Sequence, residues 1–259
     1  MRDPQHEFTT PRNSGHGQFA EDLLLQRYFG DRIKGVCLEV GAFDGVTGSA
    51  TLAFEQRGWE TILVEPVSSL AAKIRSHRRG KLFEVAAGPV DGTAVLKVAR
   101  NDKAISTVAN SKDQQQFYAL RRESWDEIEV IQRTLDSILS EAGVSKVDFA
   151  TIDVEGFELE VLRGWSLARW RPRILIVEDN SRGLDLAVPN YLSAQGYTCF
   201  HHKGVNDWYA RIEDTELATP VAHLRQWARR RIRSIRQGIK HVAPASAIRL
   251  ARRCGVAGE

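Results

Sequence analysis

Two neighbouring segments carry residues that could bind a small molecule where a buried strand ends. The first is Leu38-Glu39-Val40-Gly41-Ala42-Phe43-Asp44-Gly45, in which an apolar run gives way to a glycine-rich turn. A strand that breaks at glycine and continues as a helix, here predicted over Ser49 to Gln56, arranges backbone N–H groups around a concavity. Because Gly41 and Gly45 have no Cβ, we predict that a ligand lies against the main chain there.

The second segment is Thr61-Ile62-Leu63-Val64, an apolar run that ends in Glu65-Pro66. An acid at the tip of the neighbouring strand can accept hydrogen bonds from a ribose diol. The glycine spacing, Gly41-x-x-x-Gly45-x-x-Gly48, departs from the G-x-G-x-x-G of nicotinamide sites. It favours a nucleoside cofactor without a pyrophosphate, such as S-adenosylmethionine, with a nicotinamide dinucleotide or a plain strand-turn-helix as alternatives.

Acidic residues also follow two later apolar runs. Asp153 and Glu155 come after the run that ends at Ile152, and Glu178-Asp179 come after the run that ends at Val177. Because the carboxyl ends of parallel strands meet at one edge of a sheet, we expect these acids to share a rim with the first two segments. The sequence therefore predicts a ligand site at that rim.

The elements that must hold these residues alternate between strand and helix patterns. The chain has 259 residues, of which 42% are hydrophobic and 27% charged, as in a soluble globular protein with one large α/β core. Strands rich in Ile, Val and Leu predict a mostly parallel sheet with helices on both faces. Further helices are predicted over 18–29, 68–77, 134–142 and 184–195, and further strands over 81–87, 93–99, 128–133, 147–152, 174–177, 197–200 and 207–212. The pattern does not decide the state of residues 101–123.

The predicted domains are a flexible leader (1–15), the α/β body (16–215) and a basic helical tail (216–259). The three cysteines, Cys37, Cys199 and Cys254, form no C-x-x-C pair, which fits a reducing compartment. Residues 1–11 do not resemble a signal peptide and no run is long enough to span a membrane. We therefore predict a cytoplasmic protein, with a peripheral position at the inner face of the membrane as a further possibility.

With these residues identified, the chain resembles the FkbM-type S-adenosylmethionine-dependent methyltransferases from about Gly17 to Ile212. The matching landmarks are Gln18-x-x-Glu21-Asp22, Glu39-Val40-Gly41-Ala42-x-Asp44-Gly45, Ser49-x-Thr51, Gly58-Trp59, Val64-Glu65-Pro66, Thr134-Leu135-Asp136, Val147-Asp148-Phe149, Ile152-Asp153-Val154-Glu155-Gly156-x-Glu158, Val161-Leu162-x-Gly164 and Val177-Glu178. The resemblance implies a class I methyltransferase (Rossmann-like) fold, with seven strands and a reversed last strand. It also implies methyl transfer to a hydroxyl of a saccharide, glycan precursor or secondary metabolite.

Within this interpretation, eight residues are predicted to hold S-adenosylmethionine. Backbone at Gly41-Ala42 would take the methionine portion, Glu65 the ribose, and the residues after Ala86-Ala87 would border the adenine. The full set is Glu39, Gly41, Ala42, Asp44, Gly45, Ser49, Glu65 and Ala87.

The predicted catalytic residues are Asp153 and Glu155, because a hydroxyl acceptor needs a base and both follow a strand that faces the cofactor. Glu178 and the pair His201-His202 are the other candidates, and Glu158 is predicted to support Glu155. No metal is part of the predicted site. The alternative is a magnesium ion bound by Asp153 with Asp179 and Asn180, which would lower the pKa of the hydroxyl.

Two other functions stay open, a nicotinamide-dependent oxidoreductase and a non-catalytic cofactor-binding module on the same fold. The loop spacing and the Asp153-Val154-Glu155-Gly156 strand end favour the methyltransferase. A similar choice concerns Gln18, Glu21 and Asp22 at the start of the first helix. They either face the ligand or are solvated residues of a first helical turn, where the helix dipole favours acids.

The tail differs in charge from the rest of the chain. From Leu217 onward there are ten Lys or Arg residues and one acid, whereas the remainder has 26 basic and 32 acidic residues. Apolar residues from Val221 to Val242 recur every three or four positions, which predicts a helix with one apolar stripe and an arginine coat. Such a helix suits an anionic membrane surface, and docking on the enzyme body or on a second subunit is the alternative. Nucleic acid is the less favoured partner. The sequence does not predict the acceptor or the oligomeric state.

Overall fold

The computed structural model describes residues 15–99, 106–108, 124–181, 183 and 185–219. The described chain falls into two compact units, divided between Arg171 and Pro172. The predicted leader, up to residue 14, and the predicted tail helix over 221–242 lie outside the described residues. The domain limits given above therefore stay predictions.

Eleven strands and seven helices are found in the described residues. The strands are β1 Val36–Val40, β2 Glu60–Val64, β3 Lys81–Phe83, β4 Ala86–Ala87, β5 Gly92–Ala99, β6 Ser106–Val108, β7 Trp125–Arg133, β8 Phe149–Ile152, β9 Ile174–Glu178, β10 Tyr197–Lys203 and β11 Asn206–Arg211. The helices are α1 Glu21–Phe29, α2 Leu52–Gln56, α3 Ser68–His77, α4 Leu135–Glu141, α5 Glu158–Arg163, α6 Leu167–Trp170 and α7 Ala187–Ala194.

Seven strands form one mostly parallel sheet in the order β10-β11-β9-β8-β1-β2-β3. The last strand, β11, is antiparallel to both β9 and β10. Burial along β1, β2 and β9 is nearly continuous, which is the pattern of strands covered on both faces. The predicted α/β fold with a reversed last strand is confirmed.

In the first unit, the parallel register of β8, β1 and β2 aligns the strand ends that matter for the site. Val40 pairs with Val64 on one side and with Ile152 on the other. These three residues are the last of their strands, so the loops that follow begin side by side at the same sheet edge. The predicted common rim of the Glu39–Gly45, Glu65 and Asp153–Glu155 segments follows from this register within the first unit.

An aromatic cluster of Phe29, Phe54, Trp59 and Phe149 packs α1 and α2 against the sheet. The ring centroids of Phe54 lie 4.8 Å from those of both Trp59 and Phe149, with edge-to-face geometry. The predicted helix over 18–29 begins at Glu21 and ends at Phe29, and Gly30 takes a positive φ of 57° at its end. The predicted helix from Ser49 begins later, at Leu52.

A second sheet of four strands, in the order β4-β7-β5-β6, was not predicted. The apolar run 81–87, predicted as one strand, divides into β3 in the main sheet and β4 in this second sheet. The predicted arm 93–99 pairs antiparallel with β7 over Gly92 to Ala99. β7 is largely exposed, as antiparallel sheets permit. Its pairing partner lies more than twenty residues earlier in the chain, so local patterns could not predict it.

The second unit contains β9, α7, β10 and β11. β10 and β11 form an antiparallel pair in which His202 stands opposite Asp207. Across both units, no described helix combines the length and the apolar character that a membrane crossing requires.

Candidate active site

The loop after β1 is tied to its neighbouring strands at Gly41 and Ala42. Both N–H groups donate to the Val64 carbonyl, at 3.0 and 3.1 Å. Gly41 has a φ of +82°, and a Cβ there would lie 1.8 Å from the Asp153 carbonyl oxygen. The glycine is therefore needed because the main chain of the Asp153 loop comes this close. The predicted contact between a ligand and the main chain at Gly41 stays a prediction.

Gly45 has an equivalent role further along the loop. Its φ is +81°, and a Cβ would lie 3.0 Å from Arg78 Cγ and 3.1 Å from Ile74 Cγ1. The Gly45 carbonyl accepts a hydrogen bond from Arg78 Nη1 at 2.8 Å. The missing side chain at Gly45 makes room for the end of α3, and the predicted contact between this glycine and a ligand stays a prediction.

The N–H groups of this loop are used within the protein. Phe43 N–H donates to Glu65 Oε2 at 3.0 Å, and Gly45 N–H donates to the Ala42 carbonyl at 2.8 Å. Val46 and Thr47 N–H donate to Asp44 Oδ1 at 2.9 and 2.7 Å. These N–H groups therefore do not form the predicted concavity, because each of them donates to another group of the protein.

Asp44 closes this turn and is itself half-buried. Desolvation acts to raise its pKa, but the N–H donors of Thr47 and Val46 outweigh it, so the pKa of Asp44 lies below its usual value. The predicted cofactor contact of Asp44 stays a prediction, and its two oxygens both hold the turn: Oδ2 accepts from Thr47 Oγ1 at 2.9 Å.

Glu39 points into the base of the loop. Its Oε2 accepts from Ser49 Oγ at 2.8 Å and from Thr51 Oγ1 at 2.5 Å, and its Oε1 accepts from Ala50 N–H at 3.1 Å. Glu39 and Ser49 are both buried. These contacts give Glu39 and Ser49 a role in shaping the loop, and their predicted contact with a cofactor stays a prediction.

Arg78, which the sequence analysis did not single out, organises this cluster. Its side chain is fully buried, with Nε donating to Glu55 Oε2 at 3.1 Å and Nη1 lying 3.5 Å from Glu39 Oε2. Its other donors reach Ser49 Oγ at 3.1 Å and Thr51 Oγ1 at 2.9 Å. A buried acid inside a strand requires a charged or polar partner. An acid inside an apolar strand at position 39 could therefore have predicted a buried cation. It could not have predicted that Arg78, near the end of α3, supplies it.

Glu65 lies directly after β2 and is buried, with 3% of its surface exposed. Its Oε2 accepts from Phe43 N–H at 3.0 Å and its Oε1 from Val67 N–H at 2.9 Å. Desolvation by burial raises the pKa of Glu65 to about 7, although the two N–H donors oppose it. Each oxygen accepts one hydrogen bond here, and a carboxylate oxygen can accept two, so this acid can still receive hydroxyl donors.

Ala87, the predicted adenine neighbour, lies in β4 of the second sheet, where it pairs with Arg133. Its side chain is buried. The chain reaches it from β3, whose last residue, Phe83, accepts a hydrogen bond from Glu65 N–H at 3.1 Å. The predicted contact between this segment and adenine stays a prediction.

The predicted catalytic residues lie in the loop after β8. Asp153 N–H donates to the Val40 carbonyl at 3.0 Å, which places the start of this loop beside the end of β1. Asp153 is exposed and Glu155 is half-buried. Glu155 has a left-handed φ of 54° and Gly156 a φ of 95°. The structure thus places the start of this loop, at Asp153, next to Gly41. The predicted catalytic roles of Asp153 and Glu155 stay predictions.

Glu158, the first residue of α5, supports this loop. Its Oε1 accepts from Gly156 N–H at 2.9 Å and from Val154 N–H at 3.3 Å. Burial raises the pKa of Glu158 to about 7, and the nearby charge of Asp153 contributes in the same direction. The predicted supporting contact beside Glu155 is therefore present.

Glu21 and Asp22 are not solvated residues of a first helical turn, and their predicted contact with a ligand stays a prediction. Both are buried, and both accept hydrogen bonds from the segment that precedes α1: Asp22 from His16 and Gly17 N–H at 2.8 and 3.2 Å, and Glu21 from Phe19 N–H at 2.7 Å. Gly17 forms a bridge with Gly48 of the loop after β1. These acids therefore fix the preceding segment against that loop, because their carboxylates satisfy N–H groups that no helix or sheet pairs.

In the second unit, the alternative base His202 is held by Asp207. His202 Nδ1 lies 2.6 Å from Asp207 Oδ1, and Tyr209 Oη lies 3.4 Å from the other oxygen of that buried carboxylate. Glu178 ends β9 and is buried. Asp179, proposed above as a magnesium ligand, accepts a hydrogen bond from Ser181 N–H at 3.0 Å. The choice among the candidate bases stays a prediction.

The mostly parallel seven-stranded sheet with its reversed last strand is the class I methyltransferase (Rossmann-like) fold. Comparison with known families identifies it further: the profile described as "Methyltransferase FkbM domain" matches residues 39–199. The chain belongs to this family.

Comparison with solved structures finds the crystal structure of a fibrillarin/Nop5p complex. Its TM-score is 0.40 at 12% sequence identity, and the alignment covers 75% of this chain and 80% of that one. No curated protein matches the sequence.

Proposed function

We propose that this methyltransferase uses S-adenosylmethionine and methylates a hydroxyl group of a saccharide, a glycan precursor or a secondary metabolite. The observation that carries the cofactor assignment is the Glu65 carboxylate, buried at the end of β2 and anchored on the loop after β1 through Phe43 N–H. The resemblance described above supplies the acceptor class.

The donor set at Glu65 fits a nucleoside. Two N–H groups orient the carboxylate, and each oxygen keeps acceptor capacity that a ribose diol would fill. Because burial disfavours the charged form of this acid, added hydroxyl donors would stabilise it in its ionised state. Glu65 would hold the ribose, and Gly41 would keep the loop after β1 close to the Asp153 loop.

The loop after β1 does not suit the pyrophosphate of a dinucleotide cofactor. A pyrophosphate needs unpaired N–H groups at a glycine turn and at the start of the following helix. Here the N–H groups of Gly41, Ala42 and Phe43 donate within the protein. At the start of α2, Leu52 N–H donates to Ser49 Oγ at 3.2 Å and Ala50 N–H donates to Glu39. These contacts favour the methyltransferase cofactor over a nicotinamide one.

S-adenosylmethionine supplies an electrophilic methyl group whose leaving group departs neutral. The protein then needs chiefly to align donor and acceptor, which can lower the barrier by roughly 7–11 kcal/mol. Asp153 and Glu155 are the residues that we propose to orient the acceptor hydroxyl and take its proton. The backbone of Asp153 lies beside Gly41, next to the proposed cofactor loop, and Glu155 follows two residues later.

Calorimetric titration tests the cofactor. The wild-type protein, stripped of copurified ligand, should bind S-adenosylhomocysteine and should not bind NAD. Glu65→Ala should weaken S-adenosylhomocysteine binding by about 10- to 100-fold, as expected for loss of hydrogen bonds to a charged group. The matched control is Glu60→Gln, at the opposite end of the same strand, which loses only an exposed ion pair with Lys81. Binding of NAD alone would support the oxidoreductase instead.

An acceptor screen tests the reaction. Extracts of the native organism would be incubated with the protein and a radiolabelled methyl donor, and the labelled product would be treated with base to distinguish ethers from esters. A labelled ether is the expected product. Tight cofactor binding without labelled product from any extract would support the non-catalytic module.

We propose separately that the tail binds an anionic membrane surface through residues 221–242. The observation is the sequence pattern, an apolar residue every three or four positions beneath an arginine coat. The full chain should sediment with vesicles of phosphatidylglycerol and not with those of phosphatidylcholine. Replacement of Arg229, Arg230, Arg231 and Arg233 by glutamine should abolish this. If the wild-type and variant proteins sediment equally with phosphatidylglycerol vesicles, docking on the enzyme body or a second subunit would remain as the explanation of the apolar stripe.

A further inference from the structure

The Asp153 loop is fixed at its base by main-chain contacts with β1. Asp153 N–H continues the strand pairing to the Val40 carbonyl, and the Asp153 carbonyl occupies the space beside Gly41 where a side chain would project. These contacts therefore fix the base of the Asp153 loop next to the loop after β1, the proposed cofactor loop. These contacts do not reach the tip, where Glu155 lies.

The tip adopts a conformation that needs external support. Glu155 has a φ of 54°, in the left-handed region that residues with a side chain disfavour, and Gly156 follows at 95°. A non-glycine residue in this region is strained, and the conformation persists only when its surroundings hold it. Neither residue belongs to a helix or strand that would satisfy the N–H groups on its two sides.

A single atom of Glu158 provides this support. Its Oε1 accepts from the N–H groups of Val154 and Gly156, the two residues that flank Glu155. The carboxylate is buried, with 7% of the residue exposed, so water does not compete freely for these donors. Its own position is set by α5, which begins at Glu158, and by the buried Phe157 before it.

We infer that Glu158 is the positioning residue of the active site: by binding the N–H groups on both sides of Glu155, it holds the Glu155 carboxylate in the orientation in which that group meets the acceptor hydroxyl. This inference rests on the proposed function for the identity of the reaction. It assigns no contact with substrate to Glu158. The requirement at position 158 is an oxygen acceptor of the correct reach, and not a negative charge.

Two substitutions at position 158 test whether an oxygen acceptor, rather than a negative charge, is required. Glu158→Gln keeps an oxygen that can accept both N–H groups, whereas Glu158→Ala removes it and leaves two N–H groups without their partner. Glu160→Gln, on the same helix, is the matched control because Glu160 is paired only across one helical turn with Arg163 among its described contacts.

The first measurement is amide hydrogen exchange on the full chain, which needs no substrate. Glu158→Ala should accelerate exchange of the Val154 and Gly156 amides at least about tenfold, while the β8 amides stay protected and so report an intact fold. Glu158→Gln and Glu160→Gln should leave the wild-type protection unchanged. Unchanged protection in Glu158→Ala would overturn the inference.

The second measurement is turnover with the acceptor-containing fraction from the radiolabel screen. Glu158→Ala should lower kcat about 100-fold, the scale expected when a reacting group is displaced by about 1 Å, with S-adenosylhomocysteine affinity within twofold of wild type. Glu158→Gln should restore turnover to within about threefold. Equal loss in the Gln and Ala variants would overturn the inference. Failure of the wild-type protein to bind S-adenosylhomocysteine would instead overturn the proposed function, and the exchange measurement would still decide the role of Glu158.

Discussion

The loops after β1 and β8 are both organised by a buried carboxylate, but the two carboxylates have different partners. Glu39, in β1, supports the first loop, and its oxygens contact hydroxyl groups, an N–H group and the buried Arg78 guanidinium. Glu158, the first residue of α5, supports the second loop; it accepts main-chain N–H groups and lies near another acid, Asp153. Glu65 resembles Glu158 in this respect, because the groups that donate to its carboxylate, Phe43 N–H and Val67 N–H, are both main-chain N–H groups.

The difference matters most for Glu65 and Glu158. Burial disfavours the charged form of a carboxylate, and at these two residues the N–H donors offset that effect only in part. The pKa values of Glu65 and Glu158 accordingly rise to about 7. The cluster of Glu39 and Arg78 fixes the loop after β1, and Glu65 and Glu158 can change protonation near neutral pH. Four predictions test this contrast, in order of expected effect.

The largest effect is expected for Arg78→Met. Removal of the guanidinium leaves Glu39 and Glu55 buried without their cation, which typically costs about 3–5 kcal/mol. Urea denaturation should show this loss in the free energy of unfolding. Arg79→Ala, at the neighbouring exposed residue, should change it by less than about 0.5 kcal/mol. Equal effects of the two substitutions would refute the role given to Arg78.

Gly41→Ala is expected to be nearly as severe. The new Cβ would meet the Asp153 carbonyl oxygen at 1.8 Å, so the two loops must separate in addition to the strain of a φ of +82°. Gly143→Ala is the control, because its φ is +73° and a Cβ there meets no atom within 4 Å. The control should cost about 1 kcal/mol, the strain alone, and Gly41→Ala at least about 2 kcal/mol with loss of S-adenosylhomocysteine binding. Intact binding in Gly41→Ala would contradict the proposed coupling of the loops.

Stability should fall as the pH rises from about 5 to 8. The pKa of Glu65 is raised from 4.5 in an unfolded chain to about 7 in the folded one, so between these values the folded state binds more protons and loses stability with increasing pH. The same holds for Glu158. Each contributes at most about 3 kcal/mol across this range. Urea midpoints at pH 5, 6, 7 and 8 measure the slope, which Glu65→Gln and Glu158→Gln should each reduce. A slope that neither substitution changes would mean that other groups cause it.

The smallest effect is expected in cofactor affinity. If ribose hydroxyls donate to ionised Glu65, binding releases the proton of this group, and the affinity for S-adenosylhomocysteine should rise about tenfold between pH 6 and pH 8. Calorimetry in buffers of different ionisation enthalpy would detect the released proton. Glu65→Gln should abolish both the pH dependence and the proton release. Persistence of the pH dependence in this variant would exclude Glu65 as its source.

Much of the site arrangement could be predicted because it depends on strand ends. The apolar runs that end at Val40, Val64 and Ile152 are local features, and parallel pairing brings the residues after them together. The acids Glu65, Asp153 and Glu155 were found in this way. The packing around Gly41 and Gly45 could not be predicted in this way, because the atoms that lie against these glycines belong to residues distant in sequence.

The sequence by itself determined the α/β alternation, the parallel strands and the residues at their tips, since hydrophobic periodicity and turn residues act over a few neighbouring positions. Only the tertiary structure decided that Arg78 pairs with Glu39, that the chain leaves the main sheet after Phe83 for a second one, and that the N–H groups of the β1 loop are used within the protein. Each of these depends on contacts between segments far apart in the chain, whose partners local patterns do not encode.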